Sequence, residues 1–286
     1  MSVQITTAFV EQYSANIQLL SQQKGSRLSG LVRNESVTGK NAFFEQIGTV
    51  AARVRTSRHS DTPRMDTPHS RRRVSLVDYD WADLIDNEDK VRMLIDPTSS
   101  YAASAAFAMG RAKDDAIITA ATGSASTGES GSTSTALPSG QKIAVATAGL
   151  TLAKLLSAKE ILDSNEADPD MQRNIAVTAK QVTDLLNTTE IKDSDYNTVK
   201  ALAQGQINSF LGFNFVRTER LGTDSNGDRQ VICWVQDGIL LATGKDATSK
   251  ISEMPTKNYS TQVFYSQTIG ATRMEEEKVV EIACAE

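Results

Sequence analysis

The sequence predicts a mixed α+β chain in which an N-terminal arm, an extended β-hairpin loop and one long helix surround an inserted α/β region. Three stretches carry that prediction. Residues 7–23 place Phe9, Val10, Tyr13, Ile17 and Leu20 at spacings of three and four, a helical apolar stripe. The stretch that follows, KGSRLSGLVRNESVTGKN (24–41), is rich in glycine, serine and charge, so the stripe must pack on something distant or on another subunit. Strand-like segments at 43–56 and 72–81 flank SRHSDTPRMDTPHSRRR (57–73), which holds both histidines and two copies of Asp-Thr-Pro. Finally, Asp96-Pro97 opens a run of helix formers roughly 25 residues long, about 37 Å at the helical rise.

Each element has a local reason. In 72–81 the apolar residues Val74 and Leu76 take one face and Val77, Tyr79 and Trp81 the other, with few helix formers between them. Each proline of the Asp-Thr-Pro repeats forces its predecessor to extended geometry and removes an amide donor. Residues 43–81 therefore read as two strands joined by a long polar tip with little core of its own. WADLIDNEDKVRMLID (81–96) reads as a helical acidic link. Asp96 suits the N-cap and Pro97 the first helical position, alanines allow close contacts along 97–122, and Gly123 is a stop. GSASTGESGSTSTALPSGQ (123–141) is low-complexity, predicting a flexible loop and a boundary. Beyond it come a short strand at KIAVAT, a helix over 149–166 with Leu152, Leu155, Leu156, Lys159 and Leu162 near one face, a strand at 174–178 and a helix at 179–187. Strands at 213–220 and 229–236 flank LGTDSNGD, a hairpin-loop pattern. GILLATGK (238–245) is apolar and compact, and 257–284 alternates as two or three antiparallel strands.

At 286 residues the chain has room for two ordinary domains or one with a large insertion, and its 40% hydrophobic and 23% charged content is that of a folded protein. The net charge is −5, but it is unevenly spread. Seven arginines (53, 55, 58, 64, 71, 72, 73) against Asp61 and Asp66 give 53–73 a balance of +5, which leaves about −10 on the remainder. Cys233 and Cys284 lie far apart in apolar strand contexts and read as buried free thiols, with a structural disulfide as the lesser alternative. No run of 18 apolar residues predicts a membrane span, and the N-terminus lacks a signal-peptide pattern, so cytosol-like conditions are expected.

No catalytic, cofactor or metal constellation emerges. His59 and His69 with Asp61 and Asp66 make a zinc site on paper only, because neighbouring arginines oppose a cation and no core preorganises the loop. DSNGD (224–228) resembles a calcium loop but has Cys233 where the closing glutamate belongs. GSASTGESGS lacks the GK[ST] of a phosphate loop. There is no GxSxG, and without a core histidine a serine or cysteine nucleophile has no base. Asp114-Asp115 and Glu275–Glu277 read as solvated acidic faces. The arginines suit phosphate, but 53–78 has no Phe, Tyr or Trp to stack on bases, and guanidinium groups pair equally well with carboxylates. An acidic copy of the same chain is an adequate partner. Elements that cannot bury themselves, with no active site, describe an assembly subunit.

Three stretches resemble the major capsid proteins of tailed bacteriophages: SRHSDTPRMDTPHSRRRVSLVDYDWADLIDNEDKVRMLIDPTSSY (57–101), LGFNFVRTERL (211–221) and KNYSTQVFYSQTIGATRMEEEKVVEI (257–282). The resemblance implies a Johnson-type phage major capsid fold: N-terminal arm 1–42, extended loop hairpin 43–80, peripheral domain 81–140 with a spine helix at 97–122, inserted axial domain 141–245, and peripheral C-terminal strands 246–286. It also implies self-assembly through hexamers and pentamers into an icosahedral head around double-stranded DNA, bound without sequence specificity. Expected partners are other copies, a separate scaffold protein, a portal and a decoration protein, with no membrane. The expected place is the virion capsid, assembled in the host bacterial cytoplasm. Intersubunit contacts are expected at Arg55, Arg58, Arg64, Arg71, Arg72 and Arg73, against acids among Asp86, Glu88, Asp89, Glu275 and Glu276. An encapsulin-like shell around a cargo enzyme is the alternative.

Overall fold

The structure, a computed structural model, describes residues 21–59, 61–62, 64–86, 98–187 and 209–286. The long helix forms as the sequence predicts: α1 runs Thr98–Thr122, and Gly123 donates its N–H to Thr119 O at 2.9 Å where the helix stops. Ala105, Met109, Ile117 and Ala121 recur at multiples of four and are all buried, so one stripe of α1 faces the interior. Asp96, Pro97 and the arm stripe up to Leu20 lie outside the described residues; residues 21–23 are not helical.

The described residues form three sheets, and the helix packs mainly on the first of them. The first has the order β1-β12-β13-β4, from β1 (Arg33–Ser36), β4 (Val77–Ile85), β12 (Ile239–Met254) and β13 (Ser260–Arg273). Residues 81–85 are thus strand, not the start of a helical link. Tyr79 and Trp81 favour the pleat, and antiparallel pairing from Val77↔Ile269 to Ile85↔Thr261 overrides the acidic helix formers. The rest of the expected link, 87–96, lies outside the described residues.

The second sheet has six strands ordered β7-β14-β11-β8-β10-β9: β7 (Lys142–Ile143), β8 (Arg173–Val177), β9 (Ser209–Phe210), β10 (Phe213–Arg217), β11 (Arg229–Val235) and β14 (Val279–Cys284). Helices α2 (Leu152–Ser164) and α3 (Ala179–Asn187) accompany it. The expected hairpin of 213–220 with 229–236 does not form. β8, buried at all five positions, sits between the two strands and pairs with both. The turn chemistry stays local: Asp224 Oδ1 accepts from the N–H groups of Asn226 and Asp228, and Gly227 takes φ +88°. A boundary at 245/246 would cut β12 in two, and β14 belongs to this sheet, so the strands do not follow the division that the resemblance implies at either point.

The third sheet, β2-β3-β5-β6, joins β2 (Asn41–Ile47), β3 (His69–Ser75), β5 (Ala125–Thr127) and β6 (Thr133–Thr135). The low-complexity stretch therefore includes a small hairpin that pairs with the base of the basic one, Arg72 opposite Thr127 and Arg73 opposite Ser126.

One core runs from the arm into the second sheet. Leu28, Val32, Ile117, Leu155, Phe213 and Trp234 belong to it, and Trp234 Nε1 donates to Leu31 O at 2.9 Å. Cys233 and Cys284 are both buried and free; burial pushes the Cys284 thiol up to about 11. The Lys154 ammonium, nearly buried, donates to Val145 O, Ala148 O and Ala283 O at 2.7–2.8 Å, which joins α2 to the end of β14. Desolvation lowers its pKa.

The Glu286 carboxylate accepts from Arg229, Gln181 and Thr178. The Arg229 hydrogen bond is the main reason that its pKa lies below the ordinary 4.5. A depressed carboxylate stabilises fully above the unfolded value, and that contribution is lost as pH falls through the lowered folded value. Glu286→Gln is therefore expected to lower stability at pH 7 and to flatten its loss below pH 4.5, which urea titrations across that range would measure.

Candidate functional site

The basic hairpin is the feature that the sequence singles out, and alternation along β3 divides its arginines. Neighbouring strand residues point to opposite faces, so Arg72 shares a face with the buried Val74, while Arg71 and Arg73 share the other. Arg72 is 8% exposed. Its Nε donates to Met274 O at 2.8 Å and its Nη2 pairs with Glu276 Oε2. The other oxygen of Glu276 faces Arg273 Nη2 at 3.6 Å, an ion-pair separation without a hydrogen bond.

Arg273 is fully buried and caps α1. Its Nη1 donates to Ala121 O at 3.0 Å and Gly123 O at 2.7 Å, and its Nη2 donates to Thr135 O at 3.0 Å. Carbonyls at a helix C-terminus lack partners within the helix and carry partial negative charge, so a guanidinium suits them. Burial lowers the Arg273 pKa and Glu276 opposes that shift. The chain Arg72–Glu276–Arg273 thus ties the hairpin, the end of β13 and the end of α1 into one buried network.

Arg71 pairs with Glu45 across the β2–β3 ladder, lies 5.4 Å over the Phe43 ring and donates to Glu129 O at 3.3 Å. Gly131, at φ +66°, rests on Arg73: a Cβ there would meet Arg73 Cδ at 2.6 Å. The GESG turn folds over both outward arginines, and the close approach requires glycine.

The expectation that all three arginines meet another copy is therefore corrected for Arg72, whose acid is Glu276 of its own chain; Arg71 likewise has an acid of its own chain, Glu45. Glu275 is also engaged within the chain, 3.2 Å from Lys278. Asp86 accepts from Ser260 Oγ. Glu88 and Asp89 lie outside the described residues.

Beyond the β2–β3 ladder the picture reverses. Every described residue from Ile47 to Ser70 is exposed, including Arg53, Arg55, Arg58, Arg64 and both histidines. Val50 is 58% and Val54 80% exposed. Arg55 Nε donates only locally, to Ser57 O at 3.0 Å. Among the described residues no three His, Cys, Asp or Glu side chains are grouped to hold a metal ion.

Sequence reasoning missed Asp114, which reads as a solvated acid but is fully buried under the arm. Its carboxylate accepts from Gln23, Ser26 Oγ and the N–H groups of Arg27 and Leu28. The signal was available in its spacing: Asp114 follows Gly110 by four residues on α1, and Gly110 lies so close to Gly25 that a Cβ would come within 2.5 Å.

The sequence profile described as phage capsid protein matches residues 5–286. A search of curated proteins returned no match. Among solved structures the chain is similar to the capsid of cyanophage P-SCSP1u at TM-score 0.77 and 18% identity, covering 99% of this chain and 94% of that one. It is similar to the capsid of Ralstonia phage GP4 at TM-score 0.75 and 8% identity, covering 96% and 94%. The capsid of Helicobacter pylori bacteriophage KHP30 aligns at TM-score 0.72 and 11% identity, covering 99% and 97%. The shared fold spans nearly the whole of each chain at identities where sequence similarity is faint.

Proposed function

This chain belongs to the phage capsid protein family, and we propose that copies of it assemble through hexamers and pentamers into an icosahedral head that encloses double-stranded DNA. It is a structural protein of the virion capsid. In our reading residues 1–42 form the arm and 43–80 the extended loop. The β1-β12-β13-β4 sheet with α1 forms the peripheral domain, and the six-stranded sheet with α2 and α3 the axial domain, which takes β14 from the peripheral set. Assembly in the host cytoplasm would use a separate scaffold protein, with a portal and a decoration protein as further partners.

The observation that supports this most is the loop between Ile47 and Ser70, which bears four arginines before His69 and is exposed at every described residue. A folded chain gains little from such a loop unless another molecule covers it. The net charge of −5 also suits a DNA container, because a strongly basic wall would resist release.

The expected result, read by negative-stain electron microscopy, is closed shells of uniform diameter when the protein is expressed with its neighbouring scaffold gene. A chain that stays monomeric under every co-expression would overturn the reading. Shells that carry a protein cargo in place of DNA would indicate an encapsulin-like role.

A further inference from the structure

We propose that a cationic face, formed where residues 22–28 cross α1, is the surface of this chain that meets the phosphate backbone of duplex DNA. The inference rests on the reading of a shell around double-stranded DNA and names where the two touch.

Three segments distant in sequence meet here. Arg111 Nη1 on α1 donates to Gln22 Oε1 at 2.8 Å and Gln23 O at 3.2 Å. Thr218 Oγ1, just after β10, donates to Gln23 Oε1 at 3.4 Å. Arg27 Nη1 donates to the carbonyl of Arg217, 190 residues on. The fold thus gathers Lys24, Arg27, Arg111, Arg217 and Arg220, a cluster that no stretch of the sequence displays. All but the half-buried Arg111 are exposed. The acids of the same segments are already engaged. Asp114 is fully buried and accepts from Gln23, Ser26 and the N–H groups of Arg27 and Leu28. Asp115 holds Arg220, and Glu219 accepts the N–H of Ala179 at 2.8 Å at the start of α3. Among the described residues, none of Lys24, Arg27 and Arg111 pairs with a carboxylate.

The chemistry of the face selects the partner. Cations held together without matching acids repel one another, and a polyanion relieves that repulsion. Guanidinium forks suit phosphate oxygens. Residues 22–28, 110–116 and 217–220 contain no aromatic side chain, so unpaired bases would have nothing to stack on. Their one large apolar side chain, Leu28, is fully buried. A docked protein would therefore find no apolar centre to pack against, which a phosphate backbone does not need. Nothing in such a face reads bases, in keeping with DNA held without sequence specificity. The net charge of −5 elsewhere opposes DNA, so the contact is local and weak, as a genome that must leave requires.

Salt titration tests the face. The full chain, with Arg53, Arg55 and Arg58 changed to Gln so that the exposed loop does not mask the result, is titrated onto a fluorescent DNA duplex and read by anisotropy. Lys24→Gln with Arg27→Gln is expected to lower the slope of log K against log salt by about 1.8, because each lost phosphate contact removes about 0.9. A·T-rich and G·C-rich duplexes should lose affinity alike. Lys250→Gln with Lys257→Gln removes the same charge from exposed positions on and after β12, and is expected to leave the slope unchanged. Lys24→Gln alone alters a side chain with no partner among the described residues. It should lower the slope by about 0.9 at an unchanged Tm, which keeps the test valid if the double variant folds poorly. An unchanged slope in both Lys24 variants would overturn the inference. So would an equal fall in the Lys250 and Lys257 variant, or displacement of the duplex by polyglutamate at equal charge. Closed shells from the unaltered chain would leave the assembly reading standing in each of those cases. Binding as expected by a chain that never forms shells would overturn the assembly reading alone.

Discussion

Arg72→Glu is expected to destabilise the isolated chain itself, before any assembly step. The substitution places a second carboxylate against Glu276 where both side chains are about nine-tenths buried. It also removes the Nε donor from Met274 O. Breaking a buried ion pair while leaving one charge behind costs about 3–5 kcal/mol, and a like charge in its place adds to that. For a chain of this size the expected fall in Tm is about 10 °C, measured by circular dichroism on the monomer. The damage should centre on β3 and the end of β13, so amide exchange should accelerate at 69–75 and 272–276 first. The discriminating variant removes both charges. Arg72→Met with Glu276→Leu keeps the volume and removes both partners of that pair, though Arg273 then loses the carboxylate 3.6 Å away, and its stability is expected to lie well above that of Arg72→Glu and somewhat below that of the unaltered chain. Arg273 keeps its three carbonyl partners in that variant. Were the single reversal to leave Tm unchanged, the network would not be what ties the hairpin to the body.

That outcome also explains how far the sequence could be read. The long helix was legible because Asp96-Pro97 opens a long alanine-rich run of helix formers that Gly123 closes, and nothing in tertiary structure opposes such a run. The strands β10, β11 and β13 were legible from alternation. Their pairing was not, because β8 reaches its place between β10 and β11 although it ends 36 residues before β10 begins, without any turn signal. Residues 81–85 were misread because acids and alanine favour a helix locally, while the partner strand that overrides them lies about 180 residues away. The arginine cluster shows the same limit from the other side. Composition groups Arg71, Arg72 and Arg73 as one basic patch, yet strand alternation sends the middle one inward, a distinction that the segment's own strand prediction already contained. Its acid, Glu276, lies 204 residues on, and only the fold brings them together. What composition read well was the exposed part: the Asp-Thr-Pro tip is solvated throughout its described residues because proline, charge and the lack of an apolar stripe deny it any local cover.

The long helix also holds the segment at 22–28, and Asp114 is where the two meet. Residues 22–28 cross α1 without secondary structure, held by side chains alone. Asp114 accepts from two side chains and two backbone N–H groups of this strap, while Arg111 Nη1 donates to Gln22 Oε1 at 2.8 Å and Gln23 O at 3.2 Å. The strap lies close because Gly110 and Gly25 have no side chains to separate them. Asp114→Ala would leave the N–H groups of Arg27 and Leu28 without their acceptor, and hydrogen bonds to a charged group contribute about 1.5–3 kcal/mol each. The expected result is release of the strap with α1 intact. Trypsin should then cleave after the exposed Lys24 and Arg27 about tenfold faster or more, because local opening governs the rate at which a protease reaches folded backbone. Gly110→Ala makes the test sharper. It raises the helix propensity of α1 by about 1 kcal/mol, so a purely helical account predicts protection, whereas a steric account predicts faster cleavage at the same two bonds. Asp115→Asn is the control: the neighbouring carboxylate pairs with Arg220 and touches no residue of the strap, so cleavage should stay at its original rate. Should Asp114→Ala and Asp115→Asn be cut equally slowly, the buried carboxylate would not be the latch, and Arg111 would be the next side chain to test.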